Sequence, residues 1–169
     1  MAEHTFDFAG KQVSLQGKVL KPGDKAPNFE VQANDLSMVT LADSKGKVRL
    51  ISVVPSLDTG VCDAQTRRFN EEGAKLGDHL VILTISADLP FAQKRWCGAA
   101  GIDKVQTLSD HLTMSFASAY GTYNADYRLE SRAVFVVDSS DTVTYVEYVP
   151  AAGQHPDYEA ALAAAKAAK

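Results

Sequence analysis

Hydrophobic residues along this chain fall into short apolar runs separated by turns and by one longer amphipathic segment. Residues 48–54 and 80–87 are two such runs, rich in β-branched side chains and apolar enough for strands buried on both faces. Between them, residues 61–76 carry apolar side chains at seven-residue spacing that begins with Cys62, which predicts a helix with the thiol on its buried face. A strand, a helix and a second strand predict a parallel βαβ unit with a right-handed crossover.

Shorter patterns before this unit predict two hairpins. Residues 1–18 alternate apolar and polar side chains around a turn at Gly10 and Lys11, which is typical of a small β-hairpin. Residues 29–33 and 39–41 predict a second short hairpin, after a turn-rich segment that marks the entry to the main fold.

The last part of the chain predicts two strands and a helix. Residues 133–137 and 143–148 form an antiparallel hairpin with a short polar connection, and the alanine-rich residues 158–166 form a helix. A βαβ unit, then helices, then a hairpin and a helix is the order of a thioredoxin-like α/β fold, in which helices flank a central mixed sheet. We therefore expect residues 1–169 to form a single domain of this fold, with 1–18 as an added N-terminal hairpin.

Composition narrows the class of protein and its partners. The hydrophobic fraction of 46% is enough for one good core, and the net charge of −4 comes without a basic block, which argues against a nucleic-acid partner. No apolar stretch is long enough to predict a membrane span, and the first residues lack the apolar region of a secretory signal. Two cysteines in such a chain indicate reactive or buried thiols, not a structural disulfide, so we expect the cytoplasm.

Cys62 lies where a helix is predicted to begin after a buried strand. Free backbone N–H groups and the positive end of the helix dipole favour a thiolate there. Thr59, three residues earlier, can cap the helix or turn its hydroxyl toward the sulfur, and Pro55 makes the connecting loop rigid. The alternative is that Cys62 is simply a small buried hydrophobic residue.

The second cysteine, Cys97, follows a short helical pattern. Asp88 is expected to cap this helix, Pro90 to occupy its first position and Gly98 to end it, which leaves roughly eight residues, fewer than the ~12–15 that are stable alone. A helix C-terminus disfavours a thiolate whereas the neighbouring basic residues favour it, so the reactivity of Cys97 stays open. Packing against Trp96 is the alternative role for this side chain.

Three kinds of thiol site can be compared. The four histidines are scattered and no Cys-x-x-Cys occurs, so a metal site is the weakest choice. A thioredoxin-type oxidoreductase would need a cysteine where the chain has Gln65, and a proline before the last hairpin where it has residues 130–132. A peroxidase needs one thiolate, hydrogen-bond donors for the peroxide oxygens and a second thiol, and the sequence supplies that set.

Arg132 opens a strand that is apolar on both faces, where a charge is costly unless an anion lies nearby. The alternative is a surface arginine at a strand edge.

The amino-acid sequence of these segments resembles that of a known family. Pro55, Thr59 and Cys62 match Pro-x-x-x-Thr-x-x-Cys, the motif around the peroxide-reactive cysteine of peroxiredoxins. Over nearly the whole chain, the sequence is similar to the bacterial thiol peroxidases, the atypical two-cysteine branch of that family. The similarity is carried by residues 55–62, 86–93, 96–98 and 156–162.

The resemblance implies a function for each of these residues. Cys62 would be the peroxidatic cysteine, with Thr59, Arg132 and a backbone N–H holding the peroxide, and Cys97 would resolve the sulfenic acid through an intramolecular disulfide. It further implies a homodimer without cofactor or metal, organic (alkyl) hydroperoxides as preferred substrates and thioredoxin as reductant. The competing prediction is a non-enzymatic redox sensor with a thioredoxin-like fold that passes its disulfide to a partner protein.

Overall fold

The structure is a computed structural model that describes residues 4–169, so the first three residues of the predicted hairpin segment lie outside it. Residues 4–169 contain a short 3₁₀ helix (Leu41–Ser44) and four α-helices: α1 (Gly60–Gly73), α2 (Pro90–Ala100), α3 (Ser115–Tyr120) and α4 (Tyr158–Ala167). The strands are β1 (Thr5–Phe8), β2 (Lys11–Ser14), β3 (Glu30–Gln32), β4 (Met38–Thr40), β5 (Val48–Val53), β6 (Leu80–Ser86), β7 (Val105–Ser109), β8 (Tyr123–Asn124), β9 (Leu129–Glu130), β10 (Ala133–Val137) and β11 (Val143–Tyr148). No helix within residues 4–169 is long and apolar enough to cross a membrane.

A central mixed sheet organises the molecule. Its seven strands lie in the order β11-β10-β5-β6-β7-β3-β4. The predicted βαβ unit is confirmed, since β5 and β6 pair in parallel with α1 between them, and β7 extends the parallel part of the sheet. The strand β10 pairs antiparallel with β5 and with β11, which confirms the C-terminal hairpin and the thioredoxin-like class.

Helices bury both faces of this sheet, as the continuous apolar runs require. On one face, Phe69 of α1 and Ala161 of α4 pack on alternate residues of the central strands, such as Leu50 and Val134. On the other face, the ring of Phe116 in α3 belongs to a second cluster. Because β5 and β10 contribute to both clusters, their strand ends are fixed on both sides, and the loop that follows β5 starts from a rigid position.

The N-terminal hairpin forms a separate two-stranded sheet that is hydrogen-bonded to the segment after β11. The turn between β1 and β2 consists of Ala9 and Gly10, both with positive φ, because Phe8 pairs with Lys11; the predicted turn at Gly10 and Lys11 was one residue too late. The backbone N–H of Asp7 donates to Pro150 O, and Asp7 O accepts from Ala152 N, each at 2.8 Å. The hairpin therefore holds the segment that follows β11.

The helix that carries Cys97, α2, begins and ends at other residues than predicted. Leu89, not Asp88, precedes the first residue of α2, while the carboxylate of Asp88 accepts hydrogen bonds from the loop after β5. The helix continues past Gly98 to Ala100 and ends at Gly101, which has a φ of 69°. The left-handed conformation of Gly101 lets successive N–H groups bond the Cys97 carbonyl, which closes the helix.

Candidate active site

The loop after β5 places Cys62 in the first turn of α1, with its side chain inward. Its thiol is fully buried and packs with Val54 and Leu57. The buried Pro55 starts the loop, and Asp88 holds it, because the Asp88 carboxylate accepts from Leu57 N at 2.8 Å. Asp88 follows the end of β6, so this neighbouring strand fixes the loop and the sulfur has a defined position.

Thr59 directs its hydroxyl to the sulfur and does not cap the helix. Its Oγ1 lies 2.6 Å from Cys62 Sγ and 3.0 Å from Ser56 O, and no capping bond from its side chain is formed. Of the two orientations that the sequence allowed, the structure has the one that puts a hydroxyl beside the thiol. The hydroxyl can donate to a thiolate or to an oxygen atom bound next to it.

Arg132 also reaches the sulfur, from the start of β10. It directly precedes β10 and is almost completely buried, with Nη2 3.2 Å from Cys62 Sγ. Its Nη1 donates to Gln65 Oε1 at 2.9 Å, and Nε and Nη2 both donate to Ala152 O. Among residues 4–169 no carboxylate forms a salt bridge with Arg132. A buried guanidinium without a counter-ion favours an anion at the sulfur it contacts.

Glu130 does not supply that counter-ion, although it is close to Arg132 in sequence. Its carboxyl is fully buried, and this burial, together with the nearby Asp110, raises the pKa of Glu130 well above its usual value. The hydrogen bond from Thr122 opposes that rise in pKa. The raised pKa of Glu130 favours its neutral form, and within residues 4–169 no salt bridge joins it to Arg132.

Gln65 is part of the site and was missed by the sequence analysis. It lies one helical turn after Cys62, is fully buried, donates from Nε2 to Ser52 Oγ at 2.7 Å and accepts from Arg132. The sequence carried a signal for it, because Gln65 and Ser52 are polar residues at positions whose neighbours predict burial. Buried polar groups require partners, so the two could have been paired with each other.

The structure does not bring Cys97 to Cys62. Both thiols are free. Cys97 is half-buried near the end of α2, with Sγ 3.4 Å from Thr107 Oγ1 of β7, and it lines a cavity of about 500 Å³ together with Asn34 and Lys104. It is instead Trp96 that packs against the Cys62 cluster.

A shallow depression on the surface leads toward Cys62. It has a volume of about 360 Å³ and is lined by Leu57, Asp58, Thr59, Gly60, Asp63 and Trp96. Thr59 both lines this depression and contacts the sulfur, so it connects the depression to the fully buried Cys62. No group of three or more His, Cys, Asp or Glu side chains that could hold a metal ion occurs in residues 4–169.

Comparisons with known proteins identify the family. Residues 21–162 match the Redoxin family model. The chain is 65% identical over 161 residues to a thiol peroxidase of Halalkalibacterium halodurans, covering 95% of this chain and 96% of the relative. It is 61% identical over 167 residues to a thiol peroxidase of Bacillus subtilis, covering 99% and 98% of the two chains.

Solved structures agree with this result. A peroxiredoxin-like protein from Aquifex aeolicus is 36% identical and superposes with a TM-score of 0.89, covering 96% of each chain. A thiol peroxidase from Chromobacterium violaceum, at 21% identity, has the same fold with a TM-score of 0.82, covering 92% of this chain and 91% of that one. The resemblance noted in the sequence is thereby confirmed: the chain belongs to the redoxin family and, within it, to the bacterial thiol peroxidases.

Proposed function

We propose that Cys62 is the peroxidatic nucleophile and that the preferred substrates are organic (alkyl) hydroperoxides. The observation that carries this proposal is the position of Cys62 Sγ between Arg132 Nη2 at 3.2 Å and Thr59 Oγ1 at 2.6 Å. Two donors that converge on one sulfur stabilise a thiolate and can also hold the oxygens of a bound peroxide. The apolar side chain of Leu57 at the entrance suits an alkyl group.

In the first step, the Cys62 thiolate attacks the terminal oxygen of the hydroperoxide in line with the O–O bond. The S–O bond forms as the O–O bond breaks, the sulfur becomes a sulfenic acid, and the alkoxide takes up a proton to leave as the alcohol. Negative charge moves from the sulfur to the leaving oxygen, so Arg132 and Thr59 are needed most in the transition state.

In the second step, Cys97 is the resolving cysteine. Its thiol attacks the sulfenic sulfur of the same chain, which forms the Cys62–Cys97 disulfide and releases water. A disulfide requires Cα atoms within roughly 7 Å and suitably directed side chains. Because Cys97 faces Thr107 in the reduced protein, residues 88–101 must rearrange locally before the bond can form. An external dithiol, for which we propose thioredoxin, then reduces the disulfide.

We further propose that the enzyme acts as a homodimer in the cytoplasm. Three large apolar side chains near the site remain exposed: Leu89 at 51%, Phe91 at 66% and Leu112 at 51%. They lie in adjoining segments, because Ser109 Oγ donates to Asp88 O just before Leu89. A second copy of the chain would cover them. A reducing compartment suits two thiols that must be free at the start of each cycle.

Turnover of an alkyl hydroperoxide with thioredoxin and its reductase tests the function. The parent protein is expected to turn over many times, Cys62→Ser to lose activity because a serine hydroxyl is not ionised near neutral pH, and Cys97→Ser to accumulate oxidised Cys62. Oxidation of the parent without turnover would support the sensor instead. Non-reducing electrophoresis with peptide mapping checks the pairing, and a dominant disulfide between two chains would contradict the resolving role of Cys97.

A further inference from the structure

Two side chains of α1 hold the indole ring of Trp96 on α2. Trp96 Nε1 donates to Asp63 Oδ1 at 2.9 Å, and Arg67 Nε donates to Asp63 Oδ2 at 2.7 Å. The guanidinium carbon of Arg67 also lies 5.7 Å from the centre of the Trp96 ring, within the range of a cation–π contact. We call Asp63, Arg67 and Trp96 the Trp96 clamp.

The clamp joins the immediate neighbours of the two cysteines. Asp63 directly follows Cys62, and Trp96 directly precedes Cys97. The Trp96 ring packs against the cluster that contains Cys62, whereas Cys97 is directed to Thr107 on β7. Because Trp96 directly precedes Cys97 and its ring lies against the Cys62 cluster, Cys97 cannot turn from β7 toward Cys62 without moving this ring, so the clamp must open before the two sulfur atoms can meet.

The C-terminal half of α2 is held less firmly than its N-terminal half. The buried residues of the helix are Pro90 and Gln93, both in its N-terminal half, where Gln93 Nε2 donates to Ser86 Oγ and Leu108 O. In the C-terminal half, the hydrogen bonds to α1 are the one from Trp96 to Asp63 and a long one of 3.4 Å from Arg67 to Ala100 O, and Cys97 Sγ contacts Thr107 of β7. A helix of 11 residues is too short to be stable alone, so this half can unwind once the clamp opens.

We propose that Asp63, Arg67 and Trp96 are positioning residues whose release controls the rate of disulfide formation. This inference rests on the proposed roles of Cys62 and Cys97. While the clamp is closed, the Cys62 sulfenic acid stays in its pocket and can react with a second hydroperoxide, whose O–O bond breaks to give the sulfinic acid and an alcohol. When the clamp opens, Cys97 attacks, the disulfide forms and water leaves. The clamp therefore sets the balance between the disulfide and overoxidation.

Trp96→Phe tests this role, because it keeps an aromatic ring and removes the N–H that bonds Asp63. After one equivalent of alkyl hydroperoxide, rapid acid quenching and mass spectrometry follow the sulfenic acid and the disulfide separately. We expect the disulfide to form roughly three- to tenfold faster, in line with the loss of a hydrogen bond to a charged acceptor. The peroxide concentration that converts half of Cys62 to sulfinic acid should rise by the same factor.

Asp63→Ala is the second variant. Trp96 is the sole tryptophan of the sequence, so in this variant tryptophan fluorescence reports the opening of the clamp. Glu72→Ala is the matched control, because it removes a carboxylate of the same helix whose ion pair is with Lys75, outside the clamp, and should leave both rates unchanged. Disulfide formation at the parent rate or slower in Trp96→Phe, with no shift in overoxidation, would overturn the inference. If the parent itself forms no Cys62–Cys97 bond, the proposed function fails instead, so the two failures are distinct.

Discussion

Arg132→Ala should slow the oxidation of Cys62 by a factor on the order of 10²–10³. The substitution removes the charged donor beside the sulfur and leaves Thr59 in place. It also leaves the buried Gln65 Oε1 without its donor, at about 1–3 kcal/mol, and the part-buried Ala152 O without its donor, at a smaller cost. Release of a buried charge without a counter-ion offsets part of that loss in stability. The rate should therefore fall much more than the stability of the fold.

The magnitude follows from the distance between the charges. At 3.2 Å, two unit charges interact by about 1.3 kcal/mol in bulk water and by about 5 kcal/mol at an effective dielectric constant of about 20. A rate loss of 10²–10³ corresponds to about 2.7–4 kcal/mol, which lies inside that interval. Arg132→Lys keeps the charge, but one ammonium group cannot serve the sulfur, Gln65 and Ala152 together, so its rate should be intermediate.

The assay isolates the first step by using a Cys97→Ser background, in which no disulfide can follow. One equivalent of alkyl hydroperoxide is mixed with the reduced protein, and acid-quenched samples are analysed for the remaining Cys62 thiol. Thermal unfolding of each variant shows whether it folds cooperatively. A cooperatively folded Arg132→Ala variant that oxidises within threefold of its parent would refute the role of the guanidinium.

Two further predictions concern buried polar residues around the site. Gln65→Leu should lower the rate of Cys62 oxidation about tenfold, because the Arg132 guanidinium loses one partner but keeps its bonds to a main-chain carbonyl. This loss is smaller than that of Arg132→Ala, and an equal loss in the same assay would contradict the prediction. Burial and Asp110 raise the pKa of Glu130, so the folded protein keeps this proton to higher pH than the unfolded chain does. The stabilisation from Glu130 is therefore complete below about pH 4 and is lost as the pH rises through the raised pKa, by at most about 1.4 kcal/mol per pH unit. Glu130→Gln should remove that slope and raise the melting temperature at pH 7–8 with no gain near pH 4, and an equal gain at both pH values would contradict the assignment.

The central fold could be predicted because its signals are local. The runs that became β5 and β6 are short and almost entirely apolar, and the helix between them has one buried face, so few other arrangements satisfy them. The end of α2 was not predictable in the same way. Gly98 and Gly101 both follow Cys97, and either can end a helix, so the choice depends on where the last N–H groups find acceptors in the folded chain.

The site shows the same division between local and distant information. Pro55, Thr59 and Cys62 are close in the chain, and the position of the thiol at a helix start could be derived directly. Arg132 is 70 residues away, and only the family resemblance favoured it over a surface arginine. Asp88 was expected to cap α2, but its carboxylate is used by the loop after β5, which a reading of its immediate neighbours cannot reveal.

The carbonyl of Ala152 holds the Arg132 guanidinium, and the hairpin holds Ala152 through Asp7 O. Both contacts are made by main-chain atoms, which every amino acid other than proline supplies in full. A systematic substitution scan should therefore find position 152 tolerant of many side chains, with proline as the exception because it lacks the N–H that Asp7 accepts. At such a position, the freedom to vary the residue says nothing about how close its backbone lies to the reacting sulfur.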